Sequence, residues 1–227
     1  MDFDVEGNLG AAERSVSSLE RDGQAARAVT LARSYAATAA DLWDAVANPE
    51  RIPRWFLPVS GELEVGGRYQ LEGNAGGVIT ACEPPVHFAV TWEFGGDVSW
   101  VEARVSDDGA GRARLTLTHI QHLSDHWDTY GAGAVGVGWE CGLLGLAIHL
   151  ADPDEPMPDP AAFAVSPDGK AFITGSSDGW EQAAVASGTA PGAARSRAGR
   201  TTAFYTGEPV EDASGAGAEA GRTGDGT

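Results

Sequence analysis

The chain is poor in cysteine, in lysine and in long uninterrupted apolar runs, and each scarcity excludes something. Its two cysteines, Cys82 and Cys141, lie far apart without the spacing of a metal-ligand set. That argues against a disulfide framework or a structural zinc site, and predicts a reduced, cytoplasmic protein with neither metal nor cofactor. Positive charge is scarce too: 15 Lys and Arg stand against 33 Asp and Glu, a formal net charge of −18, and Lys170 is the single lysine. A nucleic-acid partner needs a basic surface, so that function class is excluded, and docking on an anionic membrane is disfavoured for the same reason. The most apolar stretch, 131–150, contains six glycines and is interrupted by Glu140 and His149. It reads as a buried helix and predicts no membrane insertion. The first residues, MDFDVEGNLG, lack the basic-then-apolar pattern of a secretory signal.

Aromatic residues, by contrast, are well supplied, with seven Trp in a chain that is 42% apolar, enough for one sizeable core. The acids concentrate outside the apolar segments, in residues 1–24, 152–165 and 206–227. This pattern predicts a disordered tail over 1–13, a main domain over 14–151, an acidic Pro-rich linker over 152–165, a helical extension over 166–206 and a second disordered tail over 207–227. The excess of Ala, Gly and Arg suggests a bacterial source.

Within the main domain, Asp22-Gly23 marks the turn of a hairpin between Ser15–Leu19 and Ala25–Tyr35. Thr38 is a suitable N-cap for a helix through Ala47, and a second short helix is expected over Pro49–Phe56. Strand-like runs follow at Gly61–Val65, Arg68–Glu72, Val78–Glu83, Phe88–Phe94, Val98–Ser106 and Arg112–His119. Turn residues separate them closely, which implies antiparallel neighbours in a meander. Trp139, Leu143, Leu146 and Leu150 recur with helical spacing, so a helix is expected from about Trp139, after an irregular start. Two Ala-rich stretches, Pro167–Ala186 and Pro191–Ala203, read as further helices.

The blocks DLWDAVANPERIPRWF (41–56), GELEVGGRYQLEG (61–73), VITACEPPVHFAVTWEF (78–94), RLTLTHI (114–120) and GVGWECGLLGLAIHL (136–150) resemble, in order, the elements of the START/SRPBCC superfamily. The resemblance is to members described as similar to the activator of the heat-shock protein 90 ATPase. It implies an α+β helix-grip fold, a curved antiparallel sheet wrapping a long C-terminal helix, here with two extra C-terminal helices. It also implies a cavity for a hydrophobic small molecule, and contact with a chaperone as an alternative. The superfamily has no shared catalytic motif, so the resemblance carries no activity with it.

Candidates for the cavity wall are Trp43, Trp55, Phe56, Val90, Trp92, Trp100, Leu117, His119, Trp139 and Leu143. On the fourth of these runs, Phe88, Val90, Trp92 and Phe94 share one face. His119 has the strand parity of Leu115 and Leu117 and is expected to point inwards, either as a hydrogen-bonded core group or as the polar centre of a cyclase or hydratase. The histidine-rich HIQHLSDHWD (119–128) lacks a metalloprotease-like pattern and reads as structural. Gly131-Ala-Gly133-Ala-Val-Gly136 fits G-x-G-x-x-G, but its context is not a βαβ unit, so no dinucleotide is expected. No catalytic residue is assigned. The leading expectation is a non-catalytic carrier or sensor of an apolar small molecule. The C-terminal helices either pack on their own domain or mediate a homodimer.

Overall fold

The computed structural model describes residues 4–209. Its frame is one eight-stranded antiparallel sheet: β1 (Ala12–Arg21), β2 (Gln24–Tyr35), β3 (Val59–Gly61), β4 (Arg68–Leu71), β5 (Gly76–Glu83), β6 (His87–Phe94), β7 (Asp97–Gly109) and β8 (Arg112–His122). Their spatial order is β1-β2-β8-β7-β6-β5-β4-β3. Thus β3 to β8 form the expected meander, and among the described residues only the β2–β8 pairing joins distant segments. The β1–β2 hairpin turns on Asp22 and Gly23, both at positive φ, the geometry that Asp-Gly supplies.

Two small elements leave the sheet after β2. Helix α2 (Ala39–Ala47) is capped by the Thr38 hydroxyl, which accepts from the Asp41 amide. The second expected helix shrinks to a 3-10 turn, Ile52–Arg54, because Pro53 lacks the N–H that a longer helix would use. The strand expected at Gly61–Val65 also shifts: pairing covers Val59–Gly61, and residues 62–67 form the following loop. After β8 come α3 (Asp125–Tyr130) and the long α4 (Gly133–Ala151), which lies along the sheet. This is the helix-grip architecture, α+β with a sheet curved around one helix.

Helix α4 begins six residues before Trp139, despite its glycines. Tertiary packing overrides the propensity cost of about 1 kcal/mol per glycine. A Cβ on Gly133 would come 3.0 Å from Thr201, on Gly136 2.3 Å from Trp180, and on Gly138 2.7 Å from the Tyr205 hydroxyl. Those partners belong to the two extra helices, α6 (Pro167–Ala186) and α7 (Pro191–Thr206). The extension therefore packs in cis, with α6 lying on both α4 and β1. By length and composition α4 is apolar enough to cross a membrane, yet Val137, Leu143 and Leu146 are wholly buried within the protein.

Both polar interruptions of α4 are tie points. The carboxylate of Glu140, only 2% exposed, receives the Arg14 guanidinium in two hydrogen bonds. It also accepts from the Ser176 hydroxyl at 2.7 Å and the Trp180 indole at 3.1 Å. His149 is buried with Nε2 3.4 Å from Arg51, which itself pairs with Asp41 and Asp44. Burial and the Arg51 and Arg54 charges hold the His149 pKa below the usual imidazole value.

Three expectations about the ends need correction. Within 1–13, Val5–Gly10 form a helix, α1, whose N-cap Asp4 accepts from the Gly7 amide. Leu9 of α1 sits where a Cβ on Gly175 of α6 would be, so this acidic segment docks through its apolar residue. Within the 152–165 segment, Pro160–Val165 form α5, capped by Asp159. Of the 207–227 tail, Gly207 ends α7 in a left-handed conformation and Glu208 pairs with Lys170; residues 210–227 lie outside the described residues.

Candidate functional site

Between the concave face of the sheet and α4 lies a cavity of about 210 Å³. Its walls follow from strand alternation. Phe88, Val90 and Trp92 of β6, Val101 and Ala103 of β7, and Leu115 and Leu117 of β8 all line it. Cross-strand register places Val90 opposite Val101 and Ala103 opposite Leu117. Ala103, between Phe88 and Leu117, is a small side chain that leaves room there. Tyr69 and Leu71 of β4 close one end, Trp139 and Leu143 of α4 form the roof, and Val46, Ile52, Trp55 and Phe56 form a side wall.

Strand β5 contributes through a bulge. Ile79 pairs with Val90 and Cys82 with Phe88, the register slipping between Ile79 and Ala81. Simple alternation would put residues 79 and 82 on opposite faces; the extra residue brings both to the cavity. Leu63, Glu64 and Cys82 are exposed as well as cavity-lining, so they mark the mouth.

The aromatic wall has a defined order. Phe56 stacks on Trp139 at 5.7 Å between centroids and 19° between planes, and Trp92 meets Trp139 edge-on at 5.0 Å. Such arrangements are the favourable ones for aromatic quadrupoles. Behind Trp139 stands His119, 3% exposed. The Trp139 indole N–H donates to His119 Nδ1 at 3.0 Å. Nδ1 is therefore the bare nitrogen and Nε2 carries the proton, donating 2.9 Å to Ser99 Oγ. The Ser99 hydroxyl in turn donates to the Trp92 carbonyl at 3.1 Å. This chain runs in one direction and needs a neutral imidazole, consistent with burial, which lowers the His119 pKa to about 4. Among the described residues, no carboxylate and no second imidazole lies within hydrogen-bond distance of the His119 ring.

Two further polar groups of the wall are committed as well. Trp55 donates to the Ala45 carbonyl at 2.8 Å, and the Tyr69 hydroxyl donates to the Thr91 carbonyl at 2.8 Å. Burial raises the Tyr69 pKa, so this hydroxyl stays a neutral donor.

Of the ten candidate residues, Trp55, Phe56, Val90, Trp92, Leu117, Trp139 and Leu143 line the cavity. His119 points inwards but is screened from the space by Trp139. Trp43 lies one layer out, edge-on to Phe88 at 6.2 Å. Trp100 belongs to the other face of the sheet. It pairs across from Thr91, out of phase with Val101, and packs with Ala26, Ala28 and Ile120. The Arg21 guanidinium lies 4.6 Å above its ring. Tyr69, Leu71, Ile79, Cys82, Phe88 and Glu64 were not anticipated as wall residues, although Phe88 shares the alternation that identified Val90 and Trp92. The HIQHLSDHWD segment splits into a strand end and a helix start: His122 Nε2 bonds the Arg21 carbonyl, and Ser124 caps α3. No metal-ligand group forms among the described residues.

Comparison with known proteins gives a consistent picture. No curated protein matches the chain at a significant level. Among solved structures, the crystal structure of CalU16 from Micromonospora echinospora is 33% identical, with a TM-score of 0.56, covering 63% of this chain and 88% of that one. The solution structure of CalU16 covers 87% and 94% at 27% identity, with a TM-score of 0.60. The conserved protein of unknown function EF2215 from Enterococcus faecalis shares the fold at 16% identity, with a TM-score of 0.55 over 78% of this chain. The model of the family described as "Activator of Hsp90 ATPase homolog 1-like protein" matches residues 36–150, just over half of the chain. With the sheet, the gripped helix and the cavity in place, the chain belongs to the activator of Hsp90 ATPase homolog 1-like family.

Proposed function

We propose that this protein binds a hydrophobic small molecule in the cavity under α4 without transforming it, as a carrier or sensor. The observation that carries this reading is the cavity itself: about 210 Å³, walled almost entirely by apolar and aromatic side chains. An apolar void of about 150 Å³ is enough to take up benzene, so this one has room for a larger apolar body. Ligand sites are typically of this kind, mostly apolar with few polar groups. The His119 environment favours binding over chemistry, since an indole and a hydroxyl occupy its two nitrogens and supply neither an acid nor a base.

The test is native mass spectrometry of the freshly purified full chain, followed by tryptophan-fluorescence titration with apolar aromatic compounds. A retained mass, or quenching that Val90→Phe abolishes while leaving the circular dichroism unchanged, supports the reading. Equal titration of the wild type and Val90→Phe removes it. A second reading, contact with a heat-shock protein 90-type chaperone, is favoured by the family description alone. Stimulation of that chaperone's ATPase on adding the purified chain would support it.

A further inference from the structure

We infer that the cavity selects by charge: it admits a flat apolar body whose polar end is neutral or cationic, and rejects the same body ending in a carboxylate or phosphate. The inference rests on the binding reading above and specifies the ligand class.

Among the described residues, the lining includes not one Arg, Lys or His side chain. Two neighbouring cations are paired elsewhere, and a third faces away from the space. Arg51 pairs with Asp41 and Asp44, and Arg68, exposed on the opposite side of its strand from Tyr69, pairs with Glu93. Arg54 is exposed and, unlike Ile52 and Trp55 on either side of it, does not line the space. Three wall donors are spent on protein acceptors: Trp55 on Ala45, Tyr69 on Thr91, and Trp139 on His119. An anionic group entering the cavity would therefore lose its hydration and find no countercharge, which is strongly unfavourable.

At the mouth the sign is reversed. Among the described residues, Glu64 is the only Asp, Glu, Arg, Lys or His in the lining, and the chain as a whole has a formal net charge of −18. A ligand lying along the Phe56–Trp139 stack with its polar end beside Leu63 and Glu64 keeps its apolar surface in the cavity and its polar group in water. An ammonium there is attracted by Glu64 and by the negative field of the protein; a carboxylate is repelled by both.

Three two-ring probes of nearly equal size separate the possibilities: 1-naphthylmethylamine, 1-naphthalenemethanol and 1-naphthoic acid, titrated calorimetrically into the full chain at about pH 7.5, where the first is a cation and the last an anion. The alcohol and the amine are expected to bind, the amine about two- to fivefold tighter, the size of an exposed ion pair. The acid is expected to bind at least about tenfold more weakly than the alcohol. Glu64→Gln is expected to shrink the amine's advantage over the alcohol, both titrated into the same variant, to less than about twofold. An acid that binds less than about tenfold more weakly than the alcohol overturns charge selection while leaving the binding reading intact. An amine preference that survives in Glu64→Gln removes the role given to Glu64. Failure of all three probes to bind overturns the binding reading, and charge selection with it.

Discussion

Helix α4 shows two opposite solutions to packing on one stretch of chain. Towards the extension it offers Gly133, Gly136 and Gly138, so close to Thr201, Trp180 and Tyr205 that a Cβ would have to push them aside. Towards the sheet it offers Trp139 and Leu143, among its largest side chains, and these leave about 210 Å³ unfilled. Core packing is normally dense throughout, so the difference is informative. The back of the helix is fixed by close contact and by the fully partnered Glu140 carboxylate, and the front can keep a void because it does not have to hold the helix in place.

The most severe way to break this contrast is Glu140→Ala. It leaves the largely buried Arg14 guanidinium without its carboxylate partner, and removing one member of such a pair costs about 3–5 kcal/mol. Urea unfolding measures it, and Arg14→Ala combined with Glu140→Ala should cost clearly less than the two single losses added together.

Acid probes the boundary between the faces. The folded His119 pKa of about 4 lies below its ordinary value of about 6.5, so the unfolded chain takes up the proton first. The stability tied to neutral His119 is complete above about pH 6.5 and drains away as the pH falls to about 4, a loss on the order of 3 kcal/mol. His149, also held low, contributes in the same direction. The Glu13, Asp44 and Glu93 carboxylates, lowered by their Arg partners, also lose their stabilising share as the pH falls. In unfolding measured across pH 4 to 6.5, His119→Gln should flatten the dependence only by the His119 share.

Adding one methyl group sharpens the contrast further. Gly136→Ala must displace the Trp180 ring, 2.3 Å from the new Cβ, and is expected to cost about 1–3 kcal/mol in thermal unfolding. Gly199→Ala on α7, with nothing within 4 Å, should instead stabilise by about 0.5–1 kcal/mol. The smallest effect belongs to the cavity face. Val90→Ile adds its methyl group to open space and should change stability by less than about 0.5 kcal/mol, while weakening uptake of the two-ring alcohol in the same calorimetric titration.

The sequence made some of this legible. Tight turns between strand runs fixed the meander, the period-2 pattern of β6 found Val90 and Trp92, and the spacing of Trp139, Leu143 and Leu146 found the gripped helix. The misplacement of Trp100 shows what alternation lacks: it groups residues within one strand but does not say which face the next strand presents. The two-residue Gly95-Gly96 turn held that information. It pairs Phe94 with Asp97 and hence Trp92 with Ser99, which turns Trp100 outwards. The β5 bulge had no comparable signal, so Ile79 and Cys82 were missed. Glu140 was visible only as a break in an apolar run, because its meaning lies in Arg14, 126 residues away, and in Ser176 and Trp180 on a helix that had no assigned contact.

The span of the Glu140 network has a consequence for how the chain assembles. The β1–β2 hairpin is local and can close as soon as residue 35 has been made, but β2 finds its other neighbour only when β8 is complete. Glu140 then receives Arg14 from the earliest strand, while Ser176 and Trp180, 36 and 40 residues further on, are still to come. Contacts of such sequence separation form slowly. Until α6 arrives, α4 has a bare glycine surface and an incompletely partnered carboxylate, so the last third of the chain completes a core begun by the first.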